Sequence, residues 1–413
     1  MRILFIHQNC PGQYKHLARA MAAGAGNQVV FITQPGKPDI PGVRKIEYKP
    51  ARKPTAETHF YIRGLEANVL NGQAVARTAA AAKKAGFVPD IVCAHPSWGE
   101  SLYIKDVYPD APLLAFCEFY YRADGADVGF DPAHPATLDD RCRVRTKNAT
   151  HLLTLECMDW GVSPTDWQRA QYPPEFVGRI STIHDGIDTT VAVADPAAVF
   201  TLPDGRRLAR GDEVVTYVAR NLEPYRGFPS FMRAVGELCR RRPRTQFLVV
   251  GGDEVSYGSR LPQGETYRQR MLKEVTVDPA RVHFLGRIPY DQFIRVLQVS
   301  SAHVYLTYPF VLSWSMLEAM AAECLLVASA TAPVAEAIED GRNGLLVDFF
   351  SPERIAARIE EALDGGARWH ELRRAARDTV LRRYELRDCL KRQLRLIEDV
   401  AARRRPQDVD APR

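Results

Sequence analysis

Along the chain, short apolar runs alternate with stretches whose apolar positions recur at helical spacing. "RILFIH" (2–7) is a run of the first kind, and "QYKHLARAMAAG" (13–24) after it has helical spacing and closes on Gly. "QVVFIT" (28–33), "DIVCAH" (90–95), "PLLAFCEF" (112–119), "HLLTLE" (151–156) and "RISTIHDG" (179–186) predict further strands. A strand buried on both faces has no polar side to show. Continuous apolar runs separated by helices therefore indicate a parallel sheet covered on both faces. The pattern then restarts: "EVVTYVAR" (213–220), "TQFLVVGG" (245–252), "RVHFLG" (281–286), "AHVYLT" (302–307) and "CLLVAS" (324–329) predict a second sheet.

The expected organisation is two doubly wound α/β units. A first domain spans 1–188, and a linker rich in Asp, Pro and Gly turn signals spans 189–212. A second domain spans 213–385, and a long helix from 386 packs back toward the first domain before the tail. In open α/β sheets ligands bind beyond the carboxyl ends of the strands, so function is sought there.

Composition narrows the class. With 46% hydrophobic and 25% charged residues in 413, the chain reads as a globular enzyme. Only the polar tail "RRRPQDVDAPR" suggests disorder. The opening apolar run is too short for a signal segment, and no stretch nears the length of a membrane span, so a cytoplasmic location is expected. The eight cysteines are scattered without a Cys-x-x-Cys pair, which favours buried thiols over a zinc site. A formal charge of +5 is too mild to argue for nucleic acid. The basic C-terminal stretch reads as the solvated face of amphipathic helices, or as weak attraction to the inner face of a membrane.

Three stretches at strand ends hold the candidate chemistry. In "RNLEPYRGF", Arg220 closes a strand and Arg226 follows in its loop. Two guanidinium forks suit phosphate oxygens, although pairing with Glu223 is the plainer alternative. In "YPFVLSWSMLEAMA" (308–321) a helix begins near Ser313 to Ser315, a ready anion site. Glu318 then has two readings: a capping box with Ser315, or a carboxylate accepting from sugar hydroxyls. The third stretch, "APVAEAIEDGRNGLLVDFFSPERIA" (332–356), carries structural signals: a helix closed by Gly341, a turn, a short strand and a new helix start.

Taken in order, "ARNLEPYRGF", "VVGG", "HFLGRIPYDQF", "LSWSMLEAMAAECLLVAS" and "APVAEAIEDGRNGLLV" resemble the nucleotide-binding domain of glycosyltransferase family 4. "VSPTDWQRA" and "TIHDGIDT" resemble the end of that family's first domain, so the likeness covers nearly the whole chain. "HQNCPGQYKHLA" and "CEFYYRADGADVGFDP" suggest a bacterial branch acting in polysaccharide pathways. The resemblance implies the GT-B fold, two Rossmann-like domains facing across a cleft. It also implies a retaining, nucleotide-sugar-dependent transferase acting on a saccharide or lipid-linked acceptor. A sugar-nucleotide epimerase and a catalytically inactive nucleotide-sugar-binding subunit are the alternatives on the same architecture.

The resemblance assigns roles residue by residue. Arg220 and Arg226 hold the donor diphosphate, and Glu318 binds ribose hydroxyls. The backbone of Leu312, Ser313, Trp314 and Ser315 meets the distal phosphate. Arg287 and Ile288 fall beside the base, and Gly12 lies in the loop facing the phosphates. Phe310 stands where the family has its first motif glutamate, so an aromatic ring facing a less polar sugar edge is expected. Glu118 stands where the family often has a histidine, and His95 is the nearest histidine at a strand end. Tyr120, Arg122, Asp124 and Asp127 follow on the acceptor side. No Asp-x-Asp clamp ends a strand, so neither a metal nor any other cofactor is expected.

Overall fold

A computed structural model describes residues 1–262 and 264–406. Residues 407–413 of the tail lie outside the described residues. The chain forms two compact units, the first built from residues 1–186 and the C-terminal helix starting at Leu386, the second from Ile187 to Glu385.

The first unit holds a parallel sheet of seven strands: β1 (Arg2–Ile6), β2 (Gln28–Thr33), β3 (Val43–Glu47), β4 (Ile91–Ala94), β5 (Leu113–Phe116), β6 (Trp160–Ser163) and β7 (Ile180–Thr182). Their order is β3-β2-β1-β4-β5-β6-β7. Successive residues of β1 feed opposite layers, as the two-residue strand period requires. Leu4 and Ile6 pack with Val75 and Ala79 of helix Arg63–Lys84. Ile3 and Phe5 pack with Leu17 and Met21, and with Leu396, Ile397 and Val400 of helix Leu386–Ala401.

The second unit opens with an antiparallel hairpin, β8 (Val199–Thr201) and β9 (Arg207–Ala209). Then follow β10 (Val214–Asn221), β11 (Gln246–Gly252), β12 (Val282–Gly286), β13 (Ala302–Tyr305), β14 (Leu326–Ser329) and β15 (Leu345–Val347). These six are parallel in the order β12-β11-β10-β13-β14-β15. Each sheet has a point where the chain reverses its direction of travel across the sheet, between β1 and β4 in one and between β10 and β13 in the other. In open α/β sheets such a reversal is where ligands bind, outside the carboxyl ends of the strands.

Two expectations need correction, and one strand carried no signal. "HLLTLE" is not a strand: Ala149–Cys157 is a helix, and the strand is β6 just after it. The helix buries Thr150, His151, Thr154 and Leu155 while Leu152 and Leu153 face outward, 40% and 55% exposed. Its histidine and threonines face in and two of its three leucines face out, the reverse of what the apolar run suggested. The segment 189–212 is more than a linker: Ala198, Phe200, Leu202 and Leu208 pack against Val214, Leu248 and Val296. Finally, β3 carries charged residues on an edge, and its five-residue pattern gave no strand signal.

Among the described residues no helix is long and apolar enough to cross a membrane. Among the same residues no group of three or more His, Cys, Asp or Glu side chains is placed to hold a metal ion.

Candidate active site

In the second unit, the loops after β10 and β13 are stitched together. Gly227 adopts φ +67°, and a Cβ there would stand 2.4 Å from Leu306 Cβ, so only glycine lets the loops approach this closely. Tyr308 N–H donates to the Tyr225 carbonyl at 3.0 Å. Arg226, 9% exposed, reaches into this junction. Its Nη1 donates to Thr307 Oγ1 at 2.7 Å and to Tyr305 Oη and the Val311 carbonyl at 3.3 Å each. Tyr305 Oη also accepts from Ser313 N–H at 2.9 Å, linking the arginine to the start of helix Trp314–Ala321. Burial opposes the Arg226 charge, but the tyrosine hydroxyls around it more than offset that and move its pKa upward. Arg220, at the end of β10, differs: it is exposed and makes no hydrogen bond or ion pair among the described residues.

Neither arginine pairs with Glu223. That carboxylate is buried and accepts the backbone N–H groups of Ser256, Tyr257 and Gly258 at 3.0–3.1 Å. The loop it holds brings the Tyr257 ring to 5.3 Å from the Arg226 guanidinium. No local signal marks Glu223 for this role, because its partners lie more than thirty residues downstream.

Helix Trp314–Ala321 is capped by Ser313, whose Oγ accepts from Ser315 N–H at 3.4 Å. The helix therefore starts too early for a Ser315–Glu318 box. Glu318 instead accepts from Tyr290 Oη at 2.7 Å and stays partly exposed. Leu312 is buried and Trp314 is 39% exposed. Arg287, after β12, pairs with Glu254 and donates to Asn221 Oδ1 at 3.0 Å, while Ile288 packs partly buried against the core.

Phe310 is 7% exposed, its ring set at 87° to Tyr225 and 60° to Tyr257. Tyr225 stacks on Tyr308 at 4.7 Å, and Tyr308 meets Phe349. Most of the Phe310 surface is thus spent on neighbouring rings, leaving little for a sugar. Phe310→Glu would put a carboxylate into that cluster, and a fall in melting temperature matching about 2 kcal/mol or more is expected.

In the first unit the reversal between β1 and β4 collects a different chemistry. His7 follows β1, His95 follows β4 and Glu118 follows β5. His95 is fully buried, stacked on Trp98 at 4.6 Å and Phe116 at 5.4 Å, with Nε2 3.3 Å from Glu118 Oε2. Burial pushes the Glu118 pKa up, but the bonds and charge from His95 and the bond from Gln13 more than reverse that, and it ends below the ordinary range. Gly12 sits at φ +52°, where a Cβ would stand 2.7 Å from the His7 ring. Sequence reasoning gave no role to His7 or Gln13, although both lie in the quoted stretch "HQNCPGQYKHLA".

The other residues expected on the acceptor side are scattered in role. The Tyr120 ring rests against Tyr172 and His151, and Arg122 caps the carbonyls of Ala170 and Gln171. Asp124 makes an exposed two-pronged pair with Arg141, and Asp127 is buried.

A family profile described as "Glycosyl transferase family 4 group" matches residues 25–192, and one described as "Glycosyl transferases group 1" matches 203–379. A D-inositol 3-phosphate glycosyltransferase of Acidothermus cellulolyticus is 27% identical over 215 residues, 49% of this chain and 45% of that protein. The chain spans about half the length of the curated relatives it matches, or slightly less. Among solved structures, the sucrose-phosphate synthase of Thermosynechococcus elongatus superposes with a TM-score of 0.73 at 19% identity, covering 98% of this chain and 100% of its own. Anabaena HepE in complex with UDP-glucose superposes with a TM-score of 0.67 at 14% identity, covering 97% and 100%. At these identities the likeness shows the fold, which is GT-B.

Proposed function

The chain belongs to the glycosyl transferase family 4 group, and on that premise we propose that it moves a sugar from a nucleotide diphosphate donor to an acceptor hydroxyl. The observation that carries this is the edge between β10 and β13. Arg220, exposed and bonded to no other described residue, ends β10, while the buried Arg226 and the N-terminus of helix Trp314–Ala321 are joined through Tyr305 at the same sheet reversal. Cleaving the bond between the anomeric carbon and the donor phosphate oxygen leaves the electron pair on that oxygen. Preorganised donors at such a developing charge are worth about 3–4 kcal/mol each. The acceptor hydroxyl attacks from the face the diphosphate leaves and gives its proton to the leaving phosphate oxygen, which retains configuration. The reaction proceeds without a divalent metal, the two arginines serving in its place.

The donor is a UDP-sugar or a close analogue, a reading supported by the UDP-glucose bound in Anabaena HepE. The acceptor is a saccharide, a lipid-linked saccharide or another polyol, and the D-inositol 3-phosphate of the relatives' names falls within that range. The test is incubation with labelled UDP-, GDP-, ADP- and TDP-sugars in the presence of EDTA. Transfer to an added acceptor supports the reading. An isomerised donor would point to an epimerase, and binding without turnover to an inactive subunit.

Glu318 serves the ribose. Its position beyond the first turn frees it from capping, and the Tyr290 hydroxyl holds it in place. A charge-assisted bond lost from a folded site costs about 1.5–3 kcal/mol. Glu318→Gln is therefore expected to melt close to wild type and to bind UDP roughly tenfold or more weakly by calorimetry. Unchanged affinity in that variant would remove the assignment.

A further inference from the structure

At the β1–β4 reversal of the first unit, a chain of hydrogen bonds links side chains of two stretches about a hundred residues apart, "HQNCPGQYKHLA" and "CEFYYRADGADVGFDP". Asn9 N–H donates to His7 Nδ1 at 2.8 Å. With Nδ1 accepting, the neutral imidazole carries its proton on Nε2, which lies 2.7 Å from Gln13 Oε1. The amide is thereby oriented with its nitrogen away from the imidazole. That nitrogen donates to Glu118 Oε1 at 2.6 Å, across 105 residues of sequence. The other oxygen, Oε2, faces His95 Nε2 at 3.3 Å, and His95 Nδ1 accepts from Ser97 N–H at 3.4 Å. The Glu118 carbonyl is held by Gln168 Nε2 at 2.5 Å. Glu118 keeps 21% of its side chain exposed. A carboxylate has about four acceptor positions, so room remains at that open edge for a ligand hydroxyl.

We infer that Gln13 is a positioning residue, relaying the fixed His7 imidazole to Glu118 so that the Glu118 carboxylate is aimed as the anchor for a hydroxyl of the acceptor. This rests on the transferase reading above and narrows its acceptor to one that presents a neutral hydroxyl pair or single hydroxyl to a carboxylate. Only an amide of this length accepts from an imidazole N–H and donates to a carboxylate at once. A Glu in its place cannot donate to Glu118 when ionised, a Leu does neither, and an Asn is one methylene short. Gly12 serves the same relay, because any side chain there would displace the His7 ring.

The groups facing Glu118 are His7, His95, His151 and Tyr172. Burial, reinforced by His95, holds His7 near pKa 3, and burial holds His151 to about 3 as well. Burial pushes Tyr172 well up. These three therefore keep one charge state across the working range. Losing the Gln13 bond removes one of the influences that lower the Glu118 pKa, so that pKa must rise.

The test compares wild type with Gln13→Leu and with Gln13→Glu, which keeps the volume if the leucine variant folds poorly. Carboxyl carbon NMR follows Glu118 directly, and initial rates with UDP-glucose and a saccharide acceptor give KM and kcat across pH. The expected result is a Glu118 pKa higher than in the wild type, because the Gln13 bond that helps lower it is gone. The acid limb of kcat/KM for the acceptor should move up with it, acceptor KM should rise about tenfold, and donor KM should stay unchanged. A wild-type protein that transfers sugar while the variants leave acceptor KM and the acid limb unmoved overturns the inference alone. Equal losses for donor and acceptor also overturn it, since they indicate a purely structural role. A wild-type protein that transfers no sugar overturns the transferase reading itself.

Discussion

Arg220→Ala melts with the wild type, yet its sugar-transfer rate falls about 10²- to 10³-fold. Arg220 is exposed and bonded to no described residue, so truncating it removes nothing that holds the fold. What it removes is a guanidinium at the end of β10, where the proposal puts the leaving diphosphate, and on that proposal one such donor is worth about 3–4 kcal/mol in the transition state. Arg226→Ala behaves differently. Its Nη1 satisfies the oxygens of Tyr305, Thr307 and Val311 in a buried junction. Truncation strands those groups and leaves a cavity, costing about 2–4 kcal/mol of stability on top of the catalytic loss. For a unit near two hundred residues that lowers the melting temperature by about 2–4 °C per kcal/mol. Arg226→Lys keeps the charge but not the fork, so it recovers little of either. The check is calorimetric melting beside transfer rates corrected for folded fraction. A wild-type rate in Arg220→Ala would end the diphosphate assignment at β10, and an unchanged melting point in Arg226→Ala would end the argument from its buried bonds.

Acid opens the first unit before the second. Burial lowers the pKa of His7, His151 and His184 in the first unit, and of His303 in the second, to about 3. These imidazoles are neutral in the fold and titrate near 6.5 once unfolded. Their contribution is fully present above pH 6.5 and is lost as pH falls toward 3, because the unfolded chain binds more protons over that range. Each adds a slope of about 1.4 kcal/mol per pH unit. Glu100 works the other way. It is fully buried, bonded to Tyr48 Oη at 2.7 Å, and burial raises its pKa to about 7. Its contribution is present at low pH and lost as pH rises from about 4.5 through 7.

The net uptake on unfolding the first unit is therefore about two protons between pH 6.5 and 4.5, or roughly 5 kcal/mol over that window. That approaches the whole stability of an ordinary domain, about 5–15 kcal/mol. The second unit has His303 in the same state and the pKa of His283 also lowered by burial, so its loss is at least half as large. Urea unfolding from pH 7.5 to 4.5 should separate into two transitions as pH falls. Glu100→Gln should be more stable than wild type at pH 8 and steepen the acid slope. Unfolding free energies that stay flat from pH 7 to 5 would refute the account.

Most strands were readable in the chain because double burial writes itself as a continuous apolar run, as in "RILFIH" and "CLLVAS". Where a strand lies at an edge, as β3 does, or where a helix turns its histidine and threonines inward, as Ala149–Cys157 does, local pattern and burial disagree. The pieces at the β10 edge were legible too, since Arg220, Arg226 and Glu318 sit at fixed places in an ordered series of motifs. Their states were not. Whether Arg226 was an ion-pair partner or a buried cation among tyrosines depended on Glu223, whose carboxylate went to backbone N–H groups far downstream. Whether Glu318 capped a helix depended on which serine began it, and the Tyr305 hydroxyl bonding Ser313 marks that start. The link from His7 through Gln13 to Glu118 left no trace in local spacing, because parallel strands bring together residues separated by whole crossover helices. Periodicity records which face of an element is buried; it does not record which distant polar group is waiting there.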